Sequence, residues 1–266
     1  MTSPVQLPPR TTVWLRPALA TCAVVTITIL SCTPALGGVE IDIDSILRNW
    51  SNGAERLGKM LRPDWSILPR TGQPLVETLA MAVTGAALSA LCALPLTLWA
   101  AKPTNPHAIT RTVVRSLLNI IRSIPNLVYA TILVAMVGVG TLPGVISLVL
   151  FDVGIVVKLV SESIESADNS YIEAGHAAGA TQTQINRVTV LPQMLASFTS
   201  QMIYALELNV RISAILGLVG AGGIGLVIDE VRGYYRYDAL AAIILELLLI
   251  VLVLEVVSVN LRKRLR

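Results

Sequence analysis

Polar and apolar positions along this chain fall into long blocks rather than short periods. Apolar blocks run over Pro17–Leu36, Val76–Ala101, Val113–Val139, Leu142–Val160, Ser197–Val227 and Ala239–Val259. An α-helix needs roughly 20 apolar residues to cross the hydrocarbon core of a bilayer, so the blocks predict an all-α integral membrane protein with about six transmembrane helices. Two longer polar blocks interrupt them, Gly37–Pro74 and Ser170–Pro192. In the first, Ile43, Ile46, Leu47 and Leu57 alternate with charges, which predicts a helix lying in the membrane interface with Trp50 and Trp65 as anchors.

The second polar block reads as a helix–turn–helix. Ser170 with Glu173, and Thr181 with Gln184, each fit a capping box. Gly179 between them suits the left-handed residue that ends a helix, and Pro192 closes the second helix or opens the next. A helix–turn–helix can also read DNA, but that needs a basic surface to neutralise phosphates. This stretch holds one arginine, Arg187, and no lysine.

Composition agrees with the pattern. Charged residues make up 14% of the chain, against about a quarter in soluble domains, and mean hydropathy is +0.70. The net charge of +3 is small and gathers at the ends of the apolar blocks, where it sets orientation. The basic tail Arg262, Lys263, Arg264 and Arg266 is predicted to be cytoplasmic. Counting back places the Lys102–Arg115 loop, the Ser170–Pro192 loop and the N-terminus on the same side, with Asp229, Glu230 and Asp238 outside. A basic start before an apolar run also fits a cleaved signal peptide. A retained first span is favoured because the rest of the chain is itself membrane-embedded. Cys22, Cys32 and Cys92 lie in or beside apolar blocks, which suits buried thiols rather than a disulfide framework.

Polar groups inside the apolar blocks are candidates for function, because charge at mid-bilayer is costly. Glu207, Asn209, Arg211 and Ser213 fall in the fifth block. Glu207 and Arg211 are four apart and share a helical face, so they either neutralise each other or leave Arg211 to contact an anion crossing the membrane. Gly220, Gly222, Gly223 and Gly225 match the spacing of a dinucleotide-binding fingerprint, yet no soluble βαβ unit surrounds them. They are read as a break or close helix approach at the outer end of the fifth span, and Pro125 as a kink in the third. His107 and His176 are isolated, so no metal site is expected.

The polar loop carries a resemblance. Glu173, Ala174, Gly179, Leu191 and Pro192 stand at the spacings of the E-A-A, three residues, G, nine residues, I-x-L-P loop found in permeases of bacterial ABC importers. Gly175 replaces the second alanine and Thr189 the isoleucine. The stretches RSIPNLVYA, GIVVKLVSESIES, ELNVRISAILGLVGAGGIG and RYDALAAI look like the permease of phosphonate importers. Methionine-importer permeases share the R-S-I-P and glycine-rich pieces.

The resemblance implies a type I importer permease whose loop, between the fourth and fifth spans, is a cytoplasmic coupling helix. Glu173, Ala174, Gly175, Gly179, Leu191 and Pro192 would meet the ATPase subunit. The expected organisation is an arm over 1–16, a first span over 17–36, an extracytoplasmic interfacial segment over 37–75, a permease domain over 76–260 holding the coupling loop 168–192, and a basic tail over 261–266. Expected partners are a second copy of the chain, two ABC ATPase subunits, an extracytoplasmic phosphonate- or phosphate-binding protein and membrane lipid, with no nucleic acid. ATP and magnesium would bind the ATPase subunit; no cofactor is expected in this chain, which has no G-x-x-x-x-G-K-[ST] loop. The expected location is the bacterial inner membrane with both termini inside. The substrate stays open among phosphonate, phosphate and phosphite, with methionine the competing solute. An intramembrane enzyme is the competing class, but no His in any apolar block could activate Ser123, Ser161 or Ser213.

Overall fold

A computed structural model describes residues 10–31, 43–168 and 170–264. Among the described residues every regular element is helical. The elements are α1 (Arg10–Ser31), α2 (Ile43–Arg48), α3 (Trp50–Met60), α4 (Leu68–Ala100), α5 (Ala108–Ser123), α6 (Asn126–Val137), α7 (Thr141–Ser166), α8 (Ser170–Ala177), α9 (Gln182–Ile185), α10 (Leu191–Leu216), α11 (Ile224–Gly233) and α12 (Tyr237–Arg264). The chain divides into two compact units, Met1–Arg56 and Leu57–Arg266.

The first unit contains α1, whose apolar part Pro17–Ser31 is shorter than a full crossing. Its hydroxyls bond back to the helix: Thr26 to Cys22 O at 2.8 Å, Thr28 to Val24 O at 2.8 Å and Ser31 to Ile27 O at 2.8 Å. Such bonds let polar side chains sit on an apolar helix without an unpaired donor. The remainder of the predicted first span, with Cys32, lies outside the described residues. Cys22 and Cys92 prove exposed on their helices rather than buried in packing.

In the second unit four helical stretches are long and apolar enough to cross a membrane: Trp65–Ala100, Thr141–Ser166, Gln182–Val219 and Tyr237–Arg264. A fifth crossing is made if α5 and α6 count as one, although they bend by 83°. Helices α4, α7 and α10 form the centre, α6 packs on α7, and α11 and α12 flank α10. The buried face of α4 runs Thr78, Ala82, Gly85, Ala86, Ser89, Ala93 and Thr97, a stripe of small residues that lets backbones approach. A Cβ on Gly85 would stand 3.0 Å from Leu148 Cβ of α7.

Two predicted spans are broken, for identifiable reasons. Pro125 restricts Ile124 to an extended conformation (φ −94°, ψ 124°), so α5 ends and α6 restarts at a steep angle, a break where a kink was expected. Side chains bond the backbone on both sides of the break. Tyr129 Oη donates to Ile121 O at 3.0 Å, Ser123 Oγ to Ile120 O at 2.7 Å, and Ser147 Oγ to Asn126 O at 2.8 Å. The predicted fifth span ends at Leu216. A 3₁₀ turn, Gly217–Val219, and a glycine-rich loop follow before α11.

At that break Gly220, Gly222 and Gly223 have φ of 90°, 86° and 70°. Thr78 Oγ1 of α4 caps the new helix by accepting from Ile224 N–H at 2.8 Å. Gly225 lies inside α11, where its Cα would meet a Cβ on Gly217 at 2.5 Å. Beyond the break, ion pairs tie the same end of the unit together: Arg70 to Glu230 at 2.7 Å and Arg236 to Asp64 at 3.0 Å. Hydrogen bonds from Ser66, with help from Arg236, hold the Asp64 carboxyl below the usual carboxylate range.

The contact between Gly217 and Gly225 is backbone against backbone, with no flexible side chain to yield. Gly217→Ala and Gly225→Ala are each expected to cost about 1–3 kcal/mol through overpacking, read as a lower midpoint of thermal unfolding in detergent. Gly233→Ala, where a Cβ meets nothing within 4 Å, should leave the midpoint unchanged.

Candidate functional site: the loop between α7 and α10

The loop is built from local sequence signals. Asp168 Oδ1 accepts from Ser170 N–H at 2.9 Å, and this bond holds its carboxyl below the usual range. Ser170 is already the first residue of α8, so the box predicted from Ser170 and Glu173 gives way to this Asp168 contact. At the other end, Ala180 N–H donates to Gly175 O at 3.1 Å and Gly179 N–H to His176 O at 3.0 Å. That pair of bonds is a Schellman motif, and it needs the positive φ of 74° that Gly179 supplies. Thr181 and Gln184 form the predicted reciprocal capping box at the start of α9.

Helix α9 does not stop at the loop. A π-helical turn, Asn186–Val190, carries it straight into α10, and Leu191 N–H donates to Asn186 O. Pro192 explains the widened turn. Its ring would clash with the carbonyl four residues back in a regular helix and it offers no N–H, and a π turn relieves both. Leu191 and Pro192 therefore open α10 without a break. Glu173 and Ala174 are exposed, whereas Gly175 faces inward, where a Cβ would stand 2.9 Å from Ile185 Cγ1. Gly175 thus serves the approach of α8 to α9 and not the thinness of an outer surface.

Sequence reasoning missed a clasp on this loop. Gln182 Nε2 donates to Pro103 O at 3.0 Å, and Asn186 Nδ2 donates to Thr104 O at 2.8 Å. Both carboxamides lie on one face of the second arm and hold the 101–107 connection between α4 and α5. Glu165 at the end of α7 accepts from Lys102 N–H at 2.8 Å and pairs with Arg115, whose Nε donates to Ala100 O at 2.8 Å. The i, i+4 spacing of Gln182 and Asn186 opposite a proline-interrupted polar loop was the available signal.

Along α10 the polar residues separate onto two faces. Asn209 and Ser213 are fully buried. Asn209 Nδ2 donates to Asp152 Oδ2 of α7 at 2.6 Å, Ser89 Oγ of α4 donates to the same oxygen at 3.3 Å, and Ser213 Oγ bonds back to Asn209 O at 2.6 Å. Through Asp152, Asn209 links α10 to α7 and α4, while Ser213 bonds only within its own helix. Glu207, whose side chain is 8% exposed, accepts from Arg211 at 2.5 Å and from Arg262 of α12 at 3.2 Å. Arg211 keeps 43% of its side chain exposed. Of the four pathway candidates, only Arg211 presents charge outward. Among the described residues no cluster of His, Cys, Asp or Glu is arranged to hold a metal ion.

The second unit is thus a polytopic helical bundle whose loop is helically continuous with a central span. Residues 93–266 match the family described as the binding-protein-dependent transport system inner membrane component, and the chain belongs to that family. It is 40% identical over 223 residues to the phosphite transport system permease protein PtxC of Stutzerimonas stutzeri, covering 84% of this chain and 81% of that protein. It is 33% identical over 207 residues to the phosphate-import permease protein PhnE of Mycolicibacterium smegmatis, covering 78% of this chain and 39% of that one. Among solved structures, an inward-facing form of the MetNI methionine ABC transporter superposes with a TM-score of 0.65 at 22% identity, over 76% of this chain and 99% of the other, which shows the shared fold. Members of the family are membrane transport subunits; ATP is used by a separate ATPase, and membership implies that partner, a substrate-binding protein and a permease dimer.

The two polar clusters of α10 make different predictions. Asn209→Leu leaves the Asp152 carboxyl inside the bundle with only the longer bond from Ser89 and is expected to cost about 1–3 kcal/mol, measured by thermal unfolding in detergent. Gly179→Ala forces a side chain into a left-handed conformation at about 1–2 kcal/mol. Because Gly179 is exposed with nothing around it, that loss should show as faster amide exchange in α8, with the global midpoint little changed.

Proposed function

We propose that the chain is the permease subunit of an ATP-driven importer for small phosphorus oxyanions (phosphonate, phosphate or phosphite). Two copies enclose the path, two ABC ATPase subunits engage the α8–α9 loops in the cytoplasm, and an extracytoplasmic binding protein delivers the solute. The termini lie inside, in keeping with the basic end of α12. The permease names borne by its 40%- and 33%-identical relatives support the solute class.

The observation that carries the mechanism is the helical continuity of α9 with α10 through the π turn. When ATP draws the partner subunits together, Glu173 and Ala174 on α8 ride with them. Gly179 fixes the angle between α8 and α9, and α10 moves as the extension of α9. The clasp by Gln182 and Asn186 carries the 101–107 connection, and thus α4 and α5, in the same direction. Arg211 meets the anion in the path while Glu207 holds its guanidinium in place. The breaks at Pro125 and at Gly220–Gly223 give the path short helix ends that can tilt independently of the long spans.

The test is solute-stimulated ATP hydrolysis by permease, ATPase subunit and binding protein reconstituted in liposomes. Glu173→Ala with Gly179→Pro should leave basal hydrolysis and abolish its stimulation. Arg211→Ala should lower stimulation by phosphite or phosphate at least tenfold, with the loop coupling intact. Full stimulation in the loop variant contradicts the coupling role; full stimulation in Arg211→Ala moves the anion contact elsewhere.

A further inference from the structure

Helices α10 and α12 form an open cavity of about 440 Å³ beside the basic end of α12, lined by Ser200, Gln201, Tyr204, Val259, Arg262 and Lys263. Its polar lining is largely unused by the protein. Among the described residues Ser200, Gln201, Tyr204 and Lys263 make no side-chain hydrogen bond or ion pair, although the Tyr204 ring lies 6.0 Å below the Arg262 guanidinium. Arg262 spends one N–H on Glu207 and stays 26% exposed. The local charges are Arg211, Arg262 and Lys263 against Glu207, a surplus of positive charge. The next acid along the helix, Glu255, is eight residues away, about 12 Å of helical rise.

Cations at a helix C-terminus complement its dipole. That accounts for Arg262, Lys263 and Arg264, but not for a hydroxyl, a carboxamide and a phenol unpartnered on the neighbouring helix. Those groups are donors arranged around a void beside two cations, which is the chemistry of an oxyanion site.

The surface running away from the cavity identifies the rest of the ligand. Leu249, Leu252, Val256 and Val259 precede Lys263 at spacings of three and four, so they form one stripe along α12. They are 64%, 49%, 62% and 37% exposed. An apolar stripe leading out of a cationic, hydrogen-bonding cavity at the edge of the membrane matches a headgroup joined to acyl chains. Polybasic positions beside a span draw anionic lipid in this way.

We propose that the α10–α12 cavity binds the phosphodiester headgroup of an anionic phospholipid, its acyl chains lying along the Leu249–Val259 stripe. Arg262 and Lys263 pair with the phosphate, and Ser200, Gln201 and Tyr204 donate to its oxygens or to the headgroup hydroxyls. Bound lipid then stiffens the contact between α12 and the span that carries Arg211.

The test is thermal unfolding of the purified permease–ATPase complex in neutral detergent, titrated with phosphatidylglycerol, with phosphatidylcholine, or with inorganic phosphate. Phosphatidylglycerol should raise the midpoint at least twice as far as phosphatidylcholine, and phosphate should have little effect. The variant Ser200→Ala with Lys263→Gln, whose residues bond nothing else, should fold and lose most of the phosphatidylglycerol shift. Equal shifts with the two lipids, or an unchanged shift in the variant, overturn the site. A shift produced by phosphate alone overturns the lipid assignment in favour of a free anion.

Discussion

Backbone N–H and C=O groups within a bilayer have no water to bond, so each interruption of a spanning helix must be repaired by the protein itself. That constraint organises this fold. The break at Pro125 is repaired by Tyr129, Ser123 and Ser147, and the break after Leu216 by glycines in left-handed conformations and by the Thr78 cap on α11. The irregularity before Pro192 is repaired by widening the helix to a π turn. The first two repairs leave a defined change of direction, whereas the third keeps the helix continuous.

The third repair has the largest consequence. A proline that ended α9 outright would have detached the α8–α9 loop from the bundle, and an unbroken α-helix would have left Pro192 in conflict with the carbonyl of Val188. The π turn keeps the rod continuous from Gln182 to Leu216. Close packing then fixes what hangs on it: Gly175 against Ile185 at one end, the Asp152–Asn209–Ser89 network in the middle, and Glu207 between Arg211 and Arg262. A push at the loop is thereby presented to three helices and one exposed arginine.

Block hydrophobicity made the helical class and most spans legible, and the loop was legible down to the Gly179 turn and the Thr181–Gln184 box, because capping depends on residues three or four apart. Contacts that depend on distant partners were not legible. Nothing local distinguishes Asn209, buried against Asp152 fifty-seven positions earlier, from Arg211 two residues on. Their two i, i+4 pairs mark opposite faces without saying which face meets protein. The severity of the bend at Pro125 was underestimated for a related reason. A proline signals a helix interruption, but nothing local fixes the angle at which α6 restarts and packs on α7. The clasp of Gln182 and Asn186 on the 101–107 connection joins segments about eighty residues apart, and carboxamide spacing alone does not name that partner.

The central claim is that the loop and α10 move as one body. It is tested most directly by spin-label distances in the reconstituted transporter, with the native cysteines replaced and labels at Ala178→Cys and Leu218→Cys. The account predicts that the distance between these labels within one copy stays constant between the nucleotide-free and ATP-bound states, while the distance between the Ala178 labels of the two copies shortens. A within-copy distance that changes as much as the distance between copies would contradict it, because the loop and α10 would then move separately.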